Sequence, residues 1–420
     1  MRTTTRAFVG ASLMAVLLSG GILPAQATEG VPGDWYFVDW GVQESLDAGN
    51  DGAGVHVAVI DGQFNPDVPT LQGADLTIAP SICHDESGSL IPASTDAPEA
   101  AHGTNSVSLV VGTGAGYPGQ VGVRGAAPKA RVTAYSVGPD VDGQDKVRCL
   151  DEKGEPVSAV ERNLERALDD GADIITVQIS SATFPPELVA RAMREGVIVL
   201  QGLDNDPVDA YLGTAGLAAM NGVVGVQAID AYGDPQNGPG SIDVSADVAA
   251  PGVGMTAQGG QHGQSWETQT IQSGTSNATP FTAGVLAAVW SRYPEASGNQ
   301  LIQSMIRNTG LEDHELARDD SLGYGIISLR HMLQEDPTQY DDANPLIVDE
   351  RDFPGQEGMW EPSYLEIFPE QASPEPTEAP GPGSGLAAML PVFVIGGIVG
   401  LLVLIGVIVL IVVLVTRKKR

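Results

Sequence analysis

Val57-Ala58-Val59-Ile60-Asp61-Gly62 is an apolar, β-branched run that stops at a carboxylate followed by glycine. With Gly54 before it, the run reads as a buried strand, Gly54 to Asp61, that ends in a turn. Arg131 to Val137, Asp173 to Ile179, Val197 to Gln201 and Val223 to Ala228 have the same character. Helical patterns lie between them. Val157, Val160, Leu164, Ala167 and Leu168 share one face of a helix that begins near Pro156 and stops at Gly171, and Pro186 to Glu195 forms another, closed by Gly196. This alternation predicts an α/β fold, a parallel sheet sandwiched between helices. Ligands of open parallel sheets lie beyond the carboxyl ends of the strands, and Asp61 ends its strand on that edge.

Two further motifs follow in the chain. His102-Gly103-Thr104 precedes the apolar run Val107 to Val111, a helix whose start projects the imidazole toward the same edge. Gly274-Thr275-Ser276-Asn277-Ala278-Thr279-Pro280 leads into a helical pattern from Thr279 to Tyr293, and Gly274, Ala278 and Ala283 are small enough for close approach around its start. Ser276 is thereby placed at a helix N-terminus, where free N–H groups and the positive end of the dipole stabilise developing negative charge. A serine hydroxyl is a weak nucleophile at neutral pH and needs an adjacent base, for which an imidazole is suited by its pKa. His102 fills that role. Asp61 then orients the ring and stabilises the imidazolium, which completes a triad. Each motif alone has an ordinary explanation: Asp-Gly is usually a turn, His before Gly is often a helix cap, and Gly-Thr-Ser is common in loops. Acyl transfer is implied by the three together.

The ends of the chain give its compartment. Arg2 and Arg6 precede an apolar stretch from Ala7 to Leu23, and Ala25-Gln26-Ala27 is a small-x-small cleavage site, so residues 1–27 read as a secretory signal peptide. Val392 to Val415 carries no charge and is long enough to cross a hydrocarbon core roughly 30 Å thick. The basic tail at residues 416–420, with Arg417-Lys418-Lys419-Arg420, places the C-terminus in the cytoplasm and the body outside the cell, tethered to the cell membrane by a single span. Composition shifts once between these ends. Residues 28–333 mix apolar segments with glycine turns, whereas residues 334–391 are rich in Pro, Glu and Asp, as in Pro374-Glu-Pro-Thr-Glu-Ala-Pro-Gly-Pro, and read as an extended, disordered acidic stalk. Roughly 300 residues of globular chain fit one large α/β domain.

A net charge of -32 repels phosphate backbones and excludes nucleic acid as a partner. Cys83 and Cys149 are the chain's two cysteines, and in an oxidising compartment an isolated pair reads as a disulfide, although sequence does not show that they meet. They lack CxxC spacing, and the six histidines form no HExxH motif. His56, His84, His262, His314 and His331 read as structural or surface residues. Asp140-Val-Asp142-Gly-Gln-Asp145 has part of a calcium loop's spacing without the closing Glu, so it reads as a solvated turn.

From about Trp35 to Leu333 the chain resembles the subtilisin family of serine peptidases. Val-Ala-Val-Ile-Asp-Gly, His-Gly-Thr, Val248-Ala249-Ala250-Pro251-Gly252-Val253 and the Ser276 motif match that family's landmarks in order. The resemblance implies a seven-stranded parallel sheet, protein or peptide substrates, no cofactor, and an oxyanion hole completed by an Asn side chain. Position after the strand Val197 to Gln201 makes that residue Asn205, with the Ser276 N–H as its partner. It also implies a substrate-binding edge at Ser180, Ser181 and Ala182. Structural calcium is frequent in the family, but no ligands can be assigned to one here. The chain departs from the family at Gly62-Gln63, where Thr-Gly or Ser-Gly is usual, at Asn105, at Gln201-Gly202-Leu203-Asp204, and at Ala182 in place of glycine.

Signal peptide, triad domain, Pro-rich stalk, one C-terminal span and a basic tail resemble the mycosins, membrane-anchored peptidases of type VII secretion. The chain between Ala27 and Gly54 is too short for a folded prodomain and is expected to wrap the domain instead. The resemblance implies a membrane-anchored serine endopeptidase, associated with a type VII secretion membrane complex. The alternative is a subtilisin-fold scaffold of such a complex in which catalysis is minor or lost.

Overall fold

Every residue of the first strand, β1 (His56–Asp61), is buried. The computed structural model describes residues 33–139, 147–179, 184–206, 214, 216–259, 265–310, 314–352, 354–355 and 360–371. After β1 come β2 (Leu76–Ile78), β3 (Cys83–His84), β4 (Thr113–Ala115), β5 (Val121–Arg124), β6 (Arg131–Ser136), β7 (Arg148–Cys149), β8 (Ile174–Val177), β9 (Ile198–Gly202), β10 (Val224–Ile229), β11 (Val248–Pro251), β12 (Met255–Gln258) and β13 (Gln269–Gln272). Seven of them form one sheet in the order β11-β10-β9-β8-β1-β6-β2. All its pairings are parallel, and Asp61 lies in register with Ser136 at the carboxyl edge. Burial on both faces explains why β1, β8 and β10 read as continuous apolar runs.

The strand order reverses at β1. From there the chain builds β6 and β2 on one side and β8 to β11 on the other, and the crevice at such a switch point opens beyond the carboxyl ends of the strands. Two strands of the sheet fall outside the five predicted runs. β2 has three residues, none of them buried, and β11 is an edge strand that ends in Pro251, where a missing N–H is tolerated.

The helices are α1 (Trp35–Asp39), α2 (Val42–Asp47), α3 (Ala101–Val111), α4 (Ala159–Asp169), α5 (Pro186–Glu195), α6 (Thr275–Arg292), α7 (Gly298–Arg307), α8 (Leu329–Met332) and α9 (Tyr364–Ile367). Ser158 caps α4, and Gly196, at φ +71°, ends α5 as expected of a left-handed C-cap. α6 begins four residues before the predicted Thr279. Pro280 therefore lies inside the helix, and its absent N–H leaves the carbonyl of Ser276 outside the i→i−4 ladder. Ahead of β1, the N-terminal segment lies along the domain. Thr256 N–H donates to Gly33 O at 2.8 Å, Tyr36 OH to Arg124 O at 2.7 Å and Trp40 Nε1 to Ile327 O at 3.1 Å.

The expected stalk boundary at residue 334 falls inside folded chain. Side-chain amides of the domain hold the backbone that follows: Gln300 Nε2 donates to Tyr340 O at 2.9 Å, Gln303 Nε2 to Ala343 O at 3.1 Å, and Asn221 Nδ2 to Val348 O at 3.0 Å and Pro362 O at 3.1 Å. Asn344 and Ile367 are buried. Composition misled because this segment is secured by hydrogen bonds from elsewhere rather than by a hydrophobic pattern of its own. The contact-defined unit ends at Ile367. Among the described residues no helix is long and apolar enough to cross a membrane; residues 1–32 and 372–420, with the expected signal peptide, the rest of the stalk and the span, lie outside them.

Cys83 and Cys149 face each other across the antiparallel β3–β7 pair and form a disulfide. It closes a loop with a sequence separation of 66 residues. Replacing both cysteines by alanine is expected to lower the free energy of unfolding by about 2–4 kcal/mol, read from denaturant titrations of the oxidised protein and the variant.

Candidate functional site

Asp61 is fully buried at the end of β1, and its two carboxylate oxygens have different partners. Oδ1 accepts from His102 Nδ1–H at 2.6 Å and from the Gly62 N–H at 2.6 Å, and Oδ2 accepts from the Ser106 hydroxyl at 2.6 Å. Holding Nδ1 as the donor leaves Nε2 to act as the base. The His102 side chain is 23% exposed, so its far edge reaches the crevice while Asp61 does not.

The residues around His102 set α3 in place. A Cβ on Gly103 would lie 2.6 Å from Gln63 O, so only glycine admits this approach of α3 to the loop after β1. Thr104 Oγ1 donates to Ala100 O at 2.5 Å and accepts from Asn65 N–H at 2.8 Å. Asn105, one of the departures from the family pattern, ties α3 to β12: its Nδ2 donates to Gln258 O at 2.9 Å, and Gln258 N–H donates to its Oδ1 at 2.8 Å.

Ser276 is the second residue of α6, among the N–H groups that have no partner within the helix. Gly252 fixes this start. Its carbonyl accepts from Gly274 N–H at 3.0 Å and from Asn277 Nδ2 at 3.1 Å, and a Cβ on it would meet Ala228, Gly274 O and Ala278 at 2.7–3.0 Å. α3 and α6 run side by side. Gly284 of α6 lies against Leu109 and Val110 of α3, and both helices start at the carboxyl edge of the sheet: Gly103 packs on Gln63, just after β1, and Gly274 is held by Gly252, just after β11.

Asn205 joins them. Its Oδ1 accepts from Thr275 N–H at 3.0 Å and from Gln236 Nε2 at 3.1 Å, and Gln236 Nε2 also reaches Asn205 O at 3.2 Å. A Cβ on Gly274 would lie 3.4 Å from Asn205 Oδ1 and 3.5 Å from Ser276 Oγ, which sets this amide beside the serine. With Oδ1 taken up by donors, Nδ2 is the end of the amide left for a ligand. The unusual stretch before Asn205 is accommodated as well. A Cβ on Gly202 would meet Thr275 Oγ1 and Thr279 Oγ1 at 2.9 Å, and Gln201 bridges Ile179 O at 3.2 Å and Ala218 N–H at 2.6 Å.

Asp61, His102, Ser276 and Asn205 thus gather at one edge. Ser180, Ser181 and Ala182, and the Asp140 to Asp145 loop, lie outside the described residues. Among the described residues no group of three or more His, Cys, Asp or Glu side chains is arranged to hold a metal ion. Sequence reasoning missed Ser106 and Gln236. The first had a signal, its i+4 spacing from His102 on a helix; the second, on a separate loop, had none.

Known proteins resemble this chain in sequence and in fold. A thermostable alkaline protease from Halalkalibacterium halodurans is 29% identical over 283 residues, which cover 63% of this chain and 66% of that protein. Subtilisin DY from Bacillus licheniformis is 27% identical over 261 residues, 60% of this chain and 82% of its own. The chain therefore spans just under two thirds of the alkaline protease. Among solved structures, fervidolysin from Fervidobacterium pennivorans has a TM-score of 0.53 at 21% identity over 76% of this chain and 48% of that one. The prenylagaramide maturation protease PagA has a TM-score of 0.50 at 21% identity over 70% and 97%. At these identities the structures establish the fold. The family model of the subtilases, peptidase S8, matches residues 52–325, and the chain belongs to that family.

Proposed function

We propose that this chain is a membrane-anchored, extracytoplasmic serine endopeptidase that cleaves protein substrates through an acyl-enzyme. The observation that carries the reading is the buried Asp61–His102 pair, set at the same edge as a serine in the first turn of α6. In the reaction, His102 Nε2 takes the proton of Ser276 as Oγ attacks the peptide carbonyl, and then gives it to the leaving amine. The Ser276 N–H and Asn205 Nδ2 donate to the oxyanion. Water, activated by His102, releases the acid and restores the serine.

Anchoring is argued from Val392 to Val415 and the basic tail after it. The resemblance of this architecture to that of the mycosins supports an association with a type VII secretion membrane complex, with substrates among the proteins handled there. The test is mass spectrometry of the full chain after treatment with a fluorophosphonate, with Ser276→Ala as control. Covalent labelling at Ser276 alone supports the peptidase; a folded protein that takes up no label would make the scaffold the better reading.

Gln236→Ala removes one of the donors that hold the Asn205 amide and leaves those of Thr275. It is expected to lower kcat by about 3- to 10-fold with KM unchanged, the loss of one neutral hydrogen bond felt in the transition state. Steady-state kinetics on a peptide substrate check this.

A further inference from the structure

Asp61 is followed by Gly62, which offers its N–H and no hydroxyl. The hydroxyl that reaches the carboxylate comes instead from α3. Ser106 Oγ donates to Asp61 Oδ2 at 2.6 Å, with Asp61 fully buried and Ser106 2% exposed. His102 and Ser106 are one helical turn apart, so the same face of α3 presents a donor to each oxygen of the carboxylate. We infer that Ser106 is a positioning residue of the peptidase site, which fixes the Asp61 carboxylate and sets how much of its charge His102 feels. The inference rests on the peptidase reading above.

The physical argument turns on the short, charge-assisted bond. An O–H donor at this distance stabilises the carboxylate and draws charge away from the oxygen that faces His102. Without it, Asp61 holds the imidazolium proton more tightly, and His102 stays protonated to a higher pH. The base is then lost on the acidic side of the rate profile. Around the pair, the neighbouring segments bring Ser136 from β6, Gln178 after β8, and Gln63 and Asn65 in the loop after β1. The first turns of α3 and α6 carry no acidic residue, and Asp96 and Glu99, on the approach to α3, are exposed. His102 is thus the partner through which the effect is read.

Ser108 supplies the control. It lies on the same helix, is fully buried, and donates its hydroxyl to Thr104 O at 2.7 Å rather than to the carboxylate. The experiment follows the rate of fluorophosphonate labelling of the full chain against pH for the native protein, Ser106→Ala and Ser108→Ala. In Ser106→Ala the acidic limb is expected to move up by about half a pH unit, roughly a threefold slower labelling below it. Ser108→Ala should leave the limb in place. Histidine-selective NMR of the same chains, with His102 assigned through His102→Gln, should show the same upward shift without any need for labelling. An unmoved limb and His102 titration in Ser106→Ala, or an equal shift in Ser108→Ala, would overturn the inference. Absence of labelling in the native protein at every pH would instead refute the peptidase reading, and the NMR titration would still decide the role of Ser106.

Discussion

Ser276→Ala is expected to lower turnover about a million-fold, the scale on which a subtilisin loses rate when its nucleophile is deleted. The loss is this large because triad members act as a unit. Without Oγ there is no bond to form with the carbonyl, and the proton-accepting arrangement at His102 and Asp61 has nothing to serve. The substitution should not disturb the fold. The start of α6 is held by Gly252 O and by the contact between Thr275 and Asn205, neither of which uses the serine side chain. Activity on a peptide substrate, measured beside an unfolding titration, checks both halves of the expectation: a variant that stays folded yet keeps turnover near the native rate would mean that Ser276 is not the nucleophile.

The second large effect is expected at Asn205. Asn205→Ala removes a transition-state donor, a loss of about 100- to 1,000-fold in kcat, but it also releases Thr275 N–H and Gln236. Asn205→Asp separates the two consequences. A carboxylate keeps the acceptor for Thr275 N–H and Gln236 Nε2 while it cannot donate, and its charge opposes the oxyanion. It should fall at least as far in kcat as Asn205→Ala, with little change in KM. Equal turnover of Asn205→Asp and the native protein would remove Asn205 from the oxyanion hole.

Sequence was most informative where structure is local. β1 could be read because both faces of the sheet are covered and its residues are apolar throughout, and Asp61, His102 and Ser276 each sit in a motif that fixes its own backbone. Contacts between distant segments were not legible in this way. Ser106 meets Asp61 across 45 positions in the sequence, and Gln236 meets Asn205 across 31, so neither pair leaves a mark in its own neighbourhood. The residues that looked irregular, Gln63 and Gln201-Gly202-Leu203-Asp204, turn out to be matched by partners on other segments. That weakens the main argument for an inert scaffold. The acidic segment after residue 334 shows the converse: its composition is that of a stalk, but its conformation is imposed by Asn221, Gln300 and Gln303 of the domain.

The bonds between Asn105 and Gln258 have a mechanical meaning. β12 and β13 form a hairpin whose last strand runs on through Ser273 and Gly274 into the turn that bears Ser276, while its first strand is bolted to α3 one turn from His102. The start of α3, with His102, and the start of α6, with Ser276, are therefore attached to the two strands of one antiparallel pair. The position of His102 is thereby coupled to that of Ser276 through a single antiparallel pair of strands, although the two residues are far apart in the chain.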